Sequence, residues 1–165
     1  MTSHGPVVDA ILRRRVSRRM TGEPVDPAVL EVIVRAGRAA PNAGNRRLQP
    51  MLTVTDARLL RLLRLVSPGM LPQPPAAVVI CIDERRAAAY GFRPGAPGLY
   101  IDVGTTAATL LLAAEGLGVA AGPVTSFSAA AVSRLLALDV GIRPVMIVCL
   151  GHGASAQPPP MGRGR

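Results

Sequence analysis

The sequence predicts an α+β or α/β sandwich, in which helices cover a central sheet. Three short aliphatic runs, residues 51–55, 76–82 and 145–150, have the length and composition of buried strands. Segments with helical spacing separate these runs. A length of 165 residues suits one such domain. We expect a single domain over residues 1–156 and an extended arm over residues 157–165, where three prolines follow one another.

Capping residues mark the predicted helices. A first helix is expected over residues 7–14. Asp26 followed by Pro27 is typical of a helix N-terminus, and this helix should end near residue 39. Asp56 and Ser128 predict helices that extend to about residues 65 and 138 in the same way.

The longest helix is predicted over residues 100–117, ending before Gly118. Its apolar residues lie on almost every side, which is typical of a buried central helix. The wider segment 103–127 is apolar enough to raise the question of a membrane span. Glu115 near its centre, with glycines and a proline after it, favours a core helix followed by a turn. We therefore expect no membrane contact and a cytoplasmic protein.

Composition excludes a disordered chain, because hydrophobic residues make up 49% and charged residues only 18%. Aromatic residues make up 2%, so the core depends on small aliphatic contacts. Such a monomer should gain much of its burial from a partner subunit. The net charge is +9 and every basic side chain apart from the two histidines is Arg, whose planar donors suit phosphate and carboxylate oxygens.

Five arginines lie within residues 13–19. Arg14 and Arg18 are four residues apart, as are Arg15 and Arg19, so each pair can face one direction on a helical turn. So many positive charges repel one another unless an anion lies among them. The segment is consistent with an anion site, with a solvated basic face or with a nucleic-acid surface. The scarcity of aromatic side chains counts against binding of single-stranded nucleic acid.

The chain offers no evident acid, base or nucleophile. His4 and His152 are isolated, which argues against a metal site, and the serines lack the context of a hydrolase nucleophile. Cys81 and Cys149 lie inside apolar runs and are expected to be buried thiols. If the protein is an enzyme, an organic cofactor should therefore carry the chemistry.

Several segments, in order along the chain, resemble the FMN-dependent nitroreductase family. They are ILRRRVSRRM at residues 11–20 leading to EPVD at 23–26, APNAGN at 40–45, GPVTSF at 122–127, and the closing strand with its Leu-Gly at 147–151. The resemblance implies an α+β sandwich with a mixed, mostly antiparallel sheet, and an intertwined homodimer with FMN at the subunit interface.

The resemblance also implies roles for individual residues. Arg14 and Arg15 would contact the flavin phosphate and ribityl chain, and Arg18 would lie near the N1/O2 edge. Thr125 and Ser126 match the catalytic turn whose backbone N–H points at flavin N5. The remaining cofactor-binding positions are Asn45 at the pyrimidine edge, Arg47 beside it, Pro123, and Arg163 returning to the phosphate.

Some positions depart from the family's pattern. Val16 stands where many relatives carry Ser or Thr, which removes a phosphate hydroxyl. Arg47 and Gln49 occupy a stretch that is usually Gln-Pro-Trp, so the substrate side of the flavin should differ.

The implied activity is a ping-pong transfer of hydride through flavin N5, from NAD(P)H to a nitro-aromatic, quinone or similar small molecule. The segment SPGML at residues 67–71, with residues 77–83, is also similar to the large subunit of cyclodipeptide oxidases. The alternative is thus an FMN-dependent dehydrogenase of a peptide-like substrate, with a small partner subunit. A basic nucleic-acid-binding protein is the non-enzymatic alternative.

Overall fold

The computed structural model describes residues 5–71 and 73–154. Six helices, one 3₁₀ turn and four strands follow one another in this part of the chain. In order, they are α1 Pro6–Arg13, α2 Pro27–Arg38, the 3₁₀ turn Ala43–Asn45, β1 Met51–Val54, α3 Ala57–Leu65, β2 Ala76–Asp83, α4 Glu84–Ala89, α5 Pro97–Gly116, β3 Ala120–Val124, α6 Ala129–Leu135 and β4 Ile142–Gly151. The predicted arm at residues 157–165, including Arg163, lies outside the described residues.

The described strands form one sheet in the order β1-β2-β4-β3, and each pairing in it is antiparallel. The two long strands, β2 and β4, lie at the centre, while β1 and β3 form opposite edges. This confirms the predicted α+β class.

Helices cover both faces of the sheet. On one face, Val78, Ile80 and Leu150 pack with Ile33 of α2 and Leu110 of α5. Side chains on the opposite face of the same strands pack against α3 and α6; these are Val79, Cys81, Ile147 and Cys149 from the sheet, and Leu60, Leu63 and Val132 from the helices. Both cysteines are buried free thiols, as the sequence predicted.

Helix α5 lies in the core. By length and composition alone it could cross a membrane. Its face at Val103, Ala107, Leu110 and Ala114 is buried against the sheet and α2, which accounts for its apolar content. The prediction of a core helix is therefore confirmed.

The predicted caps form as hydrogen bonds. Asp26 accepts one from the Ala28 N–H at 2.8 Å, and Asp56 accepts one from the Leu59 N–H at 2.8 Å. Ser128 accepts one from the Ala131 N–H at 3.3 Å.

Two elements differ from the sequence prediction. Residues 120–124 form strand β3 rather than a turn, because an edge strand tolerates Pro123, whose missing N–H costs nothing on an unpaired side. The six-residue helix α4 was not predicted; it is too short for a periodic signal, and the Asp83 side chain caps it through the Arg86 N–H at 2.9 Å.

Candidate functional site

The arginine-rich stretch of residues 13–21, called the basic segment below, begins at the end of α1. It runs along the edge strand β3. The Ser17 N–H donates to the Ala121 carbonyl at 2.9 Å. The Ser17 carbonyl oxygen lies in the space that a Cβ at position 122 would occupy, so only glycine allows this approach. Gly122 thus fixes how closely the arginines lie to β3.

The far end of the segment is joined to the chain that follows β4. Met20 pairs with Gly153 in an isolated bridge, and the Thr21 N–H donates to the His152 carbonyl at 2.8 Å. Backbone hydrogen bonds therefore hold the segment at two points, at Ser17 and at Met20 and Thr21. The path of its backbone is thus fixed between them.

The arginines of this segment are not equivalent. Arg14 is half-buried, and its Nη1 is buried without a hydrogen-bond partner among the described residues. Arg15 Nη1 instead donates to three backbone carbonyls, those of Leu12 at 2.9 Å, Arg13 at 3.2 Å and Arg14 at 3.0 Å. Arg18 is exposed. A buried guanidinium nitrogen without an acceptor is unfavourable, so Arg14 fits an anionic group such as phosphate.

The turn after β3 carries the predicted catalytic residues. Thr125 and Ser126 are exposed, and Pro123 is half-buried within the strand. The Ser126 carbonyl accepts a hydrogen bond from the Gly69 N–H at 3.2 Å. Since Thr125 lies four residues beyond Ala121, the turn is about 13 Å further along the strand than the Ser17 hydrogen bond.

A separate loop, residues 40–49, carries Asn45 and Arg47. Three of its residues have a left-handed backbone: Gly44 has φ 60°, Asn45 has φ 54° and Arg47 has φ 50°. The Asn42 Oδ1 accepts a hydrogen bond from the Arg47 N–H at 3.0 Å. The Asn45 and Arg47 side chains are both exposed.

A buried carboxylate holds this loop to α5. Asp102, only 6% exposed, accepts the Ala43 N–H at 3.0 and 3.2 Å on its two oxygens and the Gln49 Nε2 at 3.3 Å. One turn later, the Thr105 hydroxyl donates to the Pro41 carbonyl at 2.9 Å. Arg86 of α4 adds a hydrogen bond to the Arg46 carbonyl at 3.0 Å.

The loop and the basic segment contact opposite ends of α5. The loop meets α5 at Asp102, while Arg13 lies 4.0 Å from Glu115 near the other end. These positions are thirteen residues apart, which corresponds to about 20 Å of helix. The structure therefore brings Arg14 and Arg15 to the same strand as Thr125 and Ser126, but it does not bring Asn45 or Arg47 to them within one chain.

An apolar surface is exposed beside the basic segment. On α1, the exposed fractions are 69% for Val7, 42% for Val8, 50% for Ile11 and 60% for Leu12. A single chain leaves these side chains in water, which is typical of an interaction surface.

An open cavity of about 920 Å³ lies elsewhere, between α2, β1 and α3. Met20 belongs to its lining, but none of the predicted cofactor-binding residues that the structure describes does. The predicted site thus lies at an exposed edge of one chain and not in this cavity.

Sequence reasoning missed Asp102, because a single carboxylate in an apolar helix carries no motif. It also gave no role to Gly69, whose N–H meets the Ser126 carbonyl. No group of three or more His, Cys, Asp and Glu residues able to hold a metal ion occurs in the part of the chain that the structure describes.

Comparison with known proteins gives a consistent result. Residues 11–81 and 64–152 match the family model described as Nitroreductase family. Nitroreductase A from Vibrio parahaemolyticus superposes with a TM-score of 0.82 at 26% identity, covering 94% of this chain and 72% of its own. The NADPH:FMN oxidoreductase from Vibrio harveyi, in complex with NAD+, gives a TM-score of 0.80 at 26% identity, covering 92% and 72%.

A nitroreductase family protein from Clostridium difficile matches across most of both chains. The match includes 95% of this chain and 89% of the Clostridium difficile protein, with a TM-score of 0.80 at 22% identity. At this identity, the match shows that the two proteins share a fold.

Proposed function

Since the chain belongs to the nitroreductase family, we propose that it is an FMN-dependent oxidoreductase that takes hydride from NAD(P)H and passes electrons to a small acceptor. The cofactor assignment depends on Arg14, whose Nη1 is buried and has no hydrogen-bond partner among the described residues. The basic segment that contains Arg14 is hydrogen-bonded to β3, and the Thr125–Ser126 turn follows that strand. The similarity to the Vibrio harveyi enzyme, which is an NADPH:FMN oxidoreductase, supports the same cofactors.

Residues of the basic segment and of the turn after β3 could hold such a group. Arg14 would bind the phosphate, and Arg18 would supply positive charge to the pyrimidine edge, where it favours the reduced, anionic form. Backbone N–H groups of Thr125 and Ser126 would donate at N5. When bound, FMN supplies the hydride chemistry for which the chain has no side chain of its own.

The position of Arg15 limits its part in phosphate binding. Its Nη1 donates to three carbonyls at the end of α1, so it satisfies acceptors that a helix C-terminus leaves open. We assign Arg15 to holding the basic segment in place, with Arg14 as the main phosphate ligand.

A homodimer would complete the site. The loop with Asn45 and Arg47 contacts the other end of α5, so a second copy of the chain has to present this loop to the flavin. The exposed aliphatic side chains of α1 supply a surface that such a partner would bury. C2 symmetry then gives two equivalent sites, each built from both copies.

The same pocket would serve donor and acceptor in turn, as in a ping-pong mechanism. Nitro-aromatic compounds and quinones are suitable acceptors because they are flat and easily reduced. We place this activity in the cytoplasm, where NAD(P)H is available.

A second candidate is the dehydrogenation of a peptide-like substrate such as a cyclic dipeptide. It is favoured by the contact of Gly69, in the Ser-Pro-Gly segment, with Ser126. This candidate predicts little consumption of NAD(P)H, oxygen-dependent oxidation of the dipeptide, and a small partner subunit that copurifies.

Titration of the apoprotein with FMN tests the assignment. Bound FMN should lose fluorescence and change its visible spectrum, and the Arg14→Ala/Arg15→Ala double variant should bind it much more weakly. An unchanged FMN affinity in the double variant means that the phosphate site is wrongly assigned. Affinity for duplex DNA that falls steeply with salt, without flavin binding, would instead support the nucleic-acid alternative.

A further inference from the structure

We propose that Asp102, assisted by Thr105, is the positioning residue that fixes the loop at residues 40–49, and with it Asn45 and Arg47, for contact with the flavin. This inference rests on the proposed function, since it assigns how one part of that site is held. Asp102 is buried where the loop meets α5, and we assign it no contact with the cofactor.

The hydrogen bonds of Asp102 are directed to the loop. A carboxylate that is 6% exposed needs partners for its oxygens, and the hydrogen bonds it accepts come from neutral groups, the Ala43 N–H and the Gln49 amide. Hydrogen bonds to a charged acceptor are stronger than those between neutral groups. The buried charge therefore binds the two ends of the loop together.

The loop needs this restraint because its backbone is strained. Asn45 and Arg47 have side chains and still adopt positive φ, a conformation that persists only where the surroundings impose it. Asn42 caps the Arg47 N–H, and Thr105 holds the Pro41 carbonyl. Together with Asp102, these contacts fix the backbone from which both exposed side chains extend.

Preorganisation of this kind has a functional consequence. Asn45 and Arg47 are exposed on the loop and would otherwise sample several orientations. A small displacement of a positioning group can lower activity greatly. The α5 carboxylate therefore determines how well a loop from one copy meets a flavin held by the other.

The test compares Asp102→Asn with Asp139→Asn, the same substitution at an exposed carboxylate between α6 and β4. Asn keeps the shape but at position 102 places an amide donor beside the Ala43 N–H and the Gln49 amide. We expect the FMN dissociation constant of Asp102→Asn to rise about tenfold or more. The visible circular dichroism and the midpoint potential of its bound FMN should also shift, and Asp139→Asn should leave all three unchanged.

Thr105→Val and Asn42→Ala test the same anchor without altering the buried charge. Thr105→Val removes the hydrogen bond to the Pro41 carbonyl, and Asn42→Ala removes two, the one to the Ala40 carbonyl and the one from the Arg47 N–H. Each variant should weaken FMN binding several-fold. If Asp102→Asn folds and its affinity, circular dichroism and potential equal those of the unsubstituted protein, the inference is wrong. If Asp102→Asn does not fold, unchanged FMN affinity in both milder variants overturns it.

Failure of the proposed function gives a different result. In that case the unsubstituted protein binds no FMN. Amide hydrogen exchange of residues 42–49 in the apoprotein then tests the anchor alone. Faster exchange in Asp102→Asn than in Asp139→Asn supports it, and equal rates contradict it.

Discussion

The backbone carbonyl of Ser17 lies against Gly122, in the space that a side chain at position 122 would fill. The contact joins the basic segment to the edge strand through backbone atoms on both sides. Neither partner can move without breaking the hydrogen bond from the Ser17 N–H to the Ala121 carbonyl.

Gly122→Ala should therefore displace the basic segment. We expect a loss of about 1–3 kcal/mol in the free energy of unfolding, as for other overpacked sites. FMN affinity should fall with it because Arg14 moves. Urea unfolding and FMN titration measure both effects. Gly22→Ala is the control, because its added Cβ meets nothing within 4 Å; equal behaviour of the two variants would show that the close approach is unimportant.

Single arginine substitutions should separate the roles of Arg14 and Arg15. Loss of a hydrogen bond to a charged group corresponds to about 1.5–3 kcal/mol, so Arg14→Ala should raise the FMN dissociation constant by about 10- to 100-fold. Arg15→Ala should mainly lower stability, because α1 loses hydrogen bonds at its C-terminus. Arg19→Ala changes the net charge equally and should alter FMN affinity little. A larger effect from Arg19 than from Arg14 would reverse the assignment.

Mixed dimers test whether two copies build each site. One chain carries Arg14→Ala/Arg15→Ala, and the other carries Asn45→Ala/Arg47→Ala. If the loop of one copy serves the arginines of the other, the mixed dimer holds one intact site and one doubly altered site. The activity per mixed dimer should then be about half that of the unsubstituted dimer, because one of its two symmetry-related sites is intact. A mixed dimer no more active than either altered homodimer would place both groups in one chain.

Stability should decline in alkaline solution because of the two buried thiols. Burial raises the pKa of Cys81 and of Cys149 to about 12, from about 9 for an exposed thiol. Each folded-state pKa is thus above its unfolded value, so the stabilisation is complete below pH 9 and is lost as the pH rises from 9 to 12. The slope is at most about 1.4 kcal/mol per pH unit for each thiol.

Urea unfolding at a series of pH values measures this slope. The Cys81→Ala/Cys149→Ala double variant should be less stable at neutral pH, and its free energy of unfolding should decline less steeply above pH 9. Both thiols should react with an aromatic disulfide reagent only after unfolding. Rapid labelling of the native protein at pH 8 is inconsistent with their burial.

Much of the fold could be predicted because local chemistry decides it. Asp26, Asp56 and Ser128 each accept the hydrogen bond that a helix N-terminus needs, and a cap can be identified within four residues of sequence. Strand β3 could not be recognised in the same way. Its Gly122 and Pro123 are typical of a turn, and only the neighbouring strand β4 and the basic segment make them suitable for an edge.

The candidate site was predictable to a lesser degree. The basic segment was evident from its charge, but the sequence does not show which arginine is buried. In the structure, Arg14 Nη1 is buried and has no hydrogen-bond partner among the described residues, whereas Arg15 Nη1 donates to backbone carbonyls. Asp102 and the Ala43 N–H are 59 residues apart, so their contact depends on how α5 packs. Interactions of this kind follow from the tertiary structure and leave no local pattern.

Anaerobic mixing of the FMN-reconstituted protein with NADPH, and separately with NADH, measures hydride transfer through the flavin. We expect the flavin absorbance to bleach as the nicotinamide is oxidised in a one-to-one ratio. A quinone or nitro-aromatic acceptor added afterwards should restore the absorbance. A protein that binds FMN but is reduced by neither nicotinamide, or one that stays colourless at saturating FMN, is not an NAD(P)H-dependent flavin oxidoreductase.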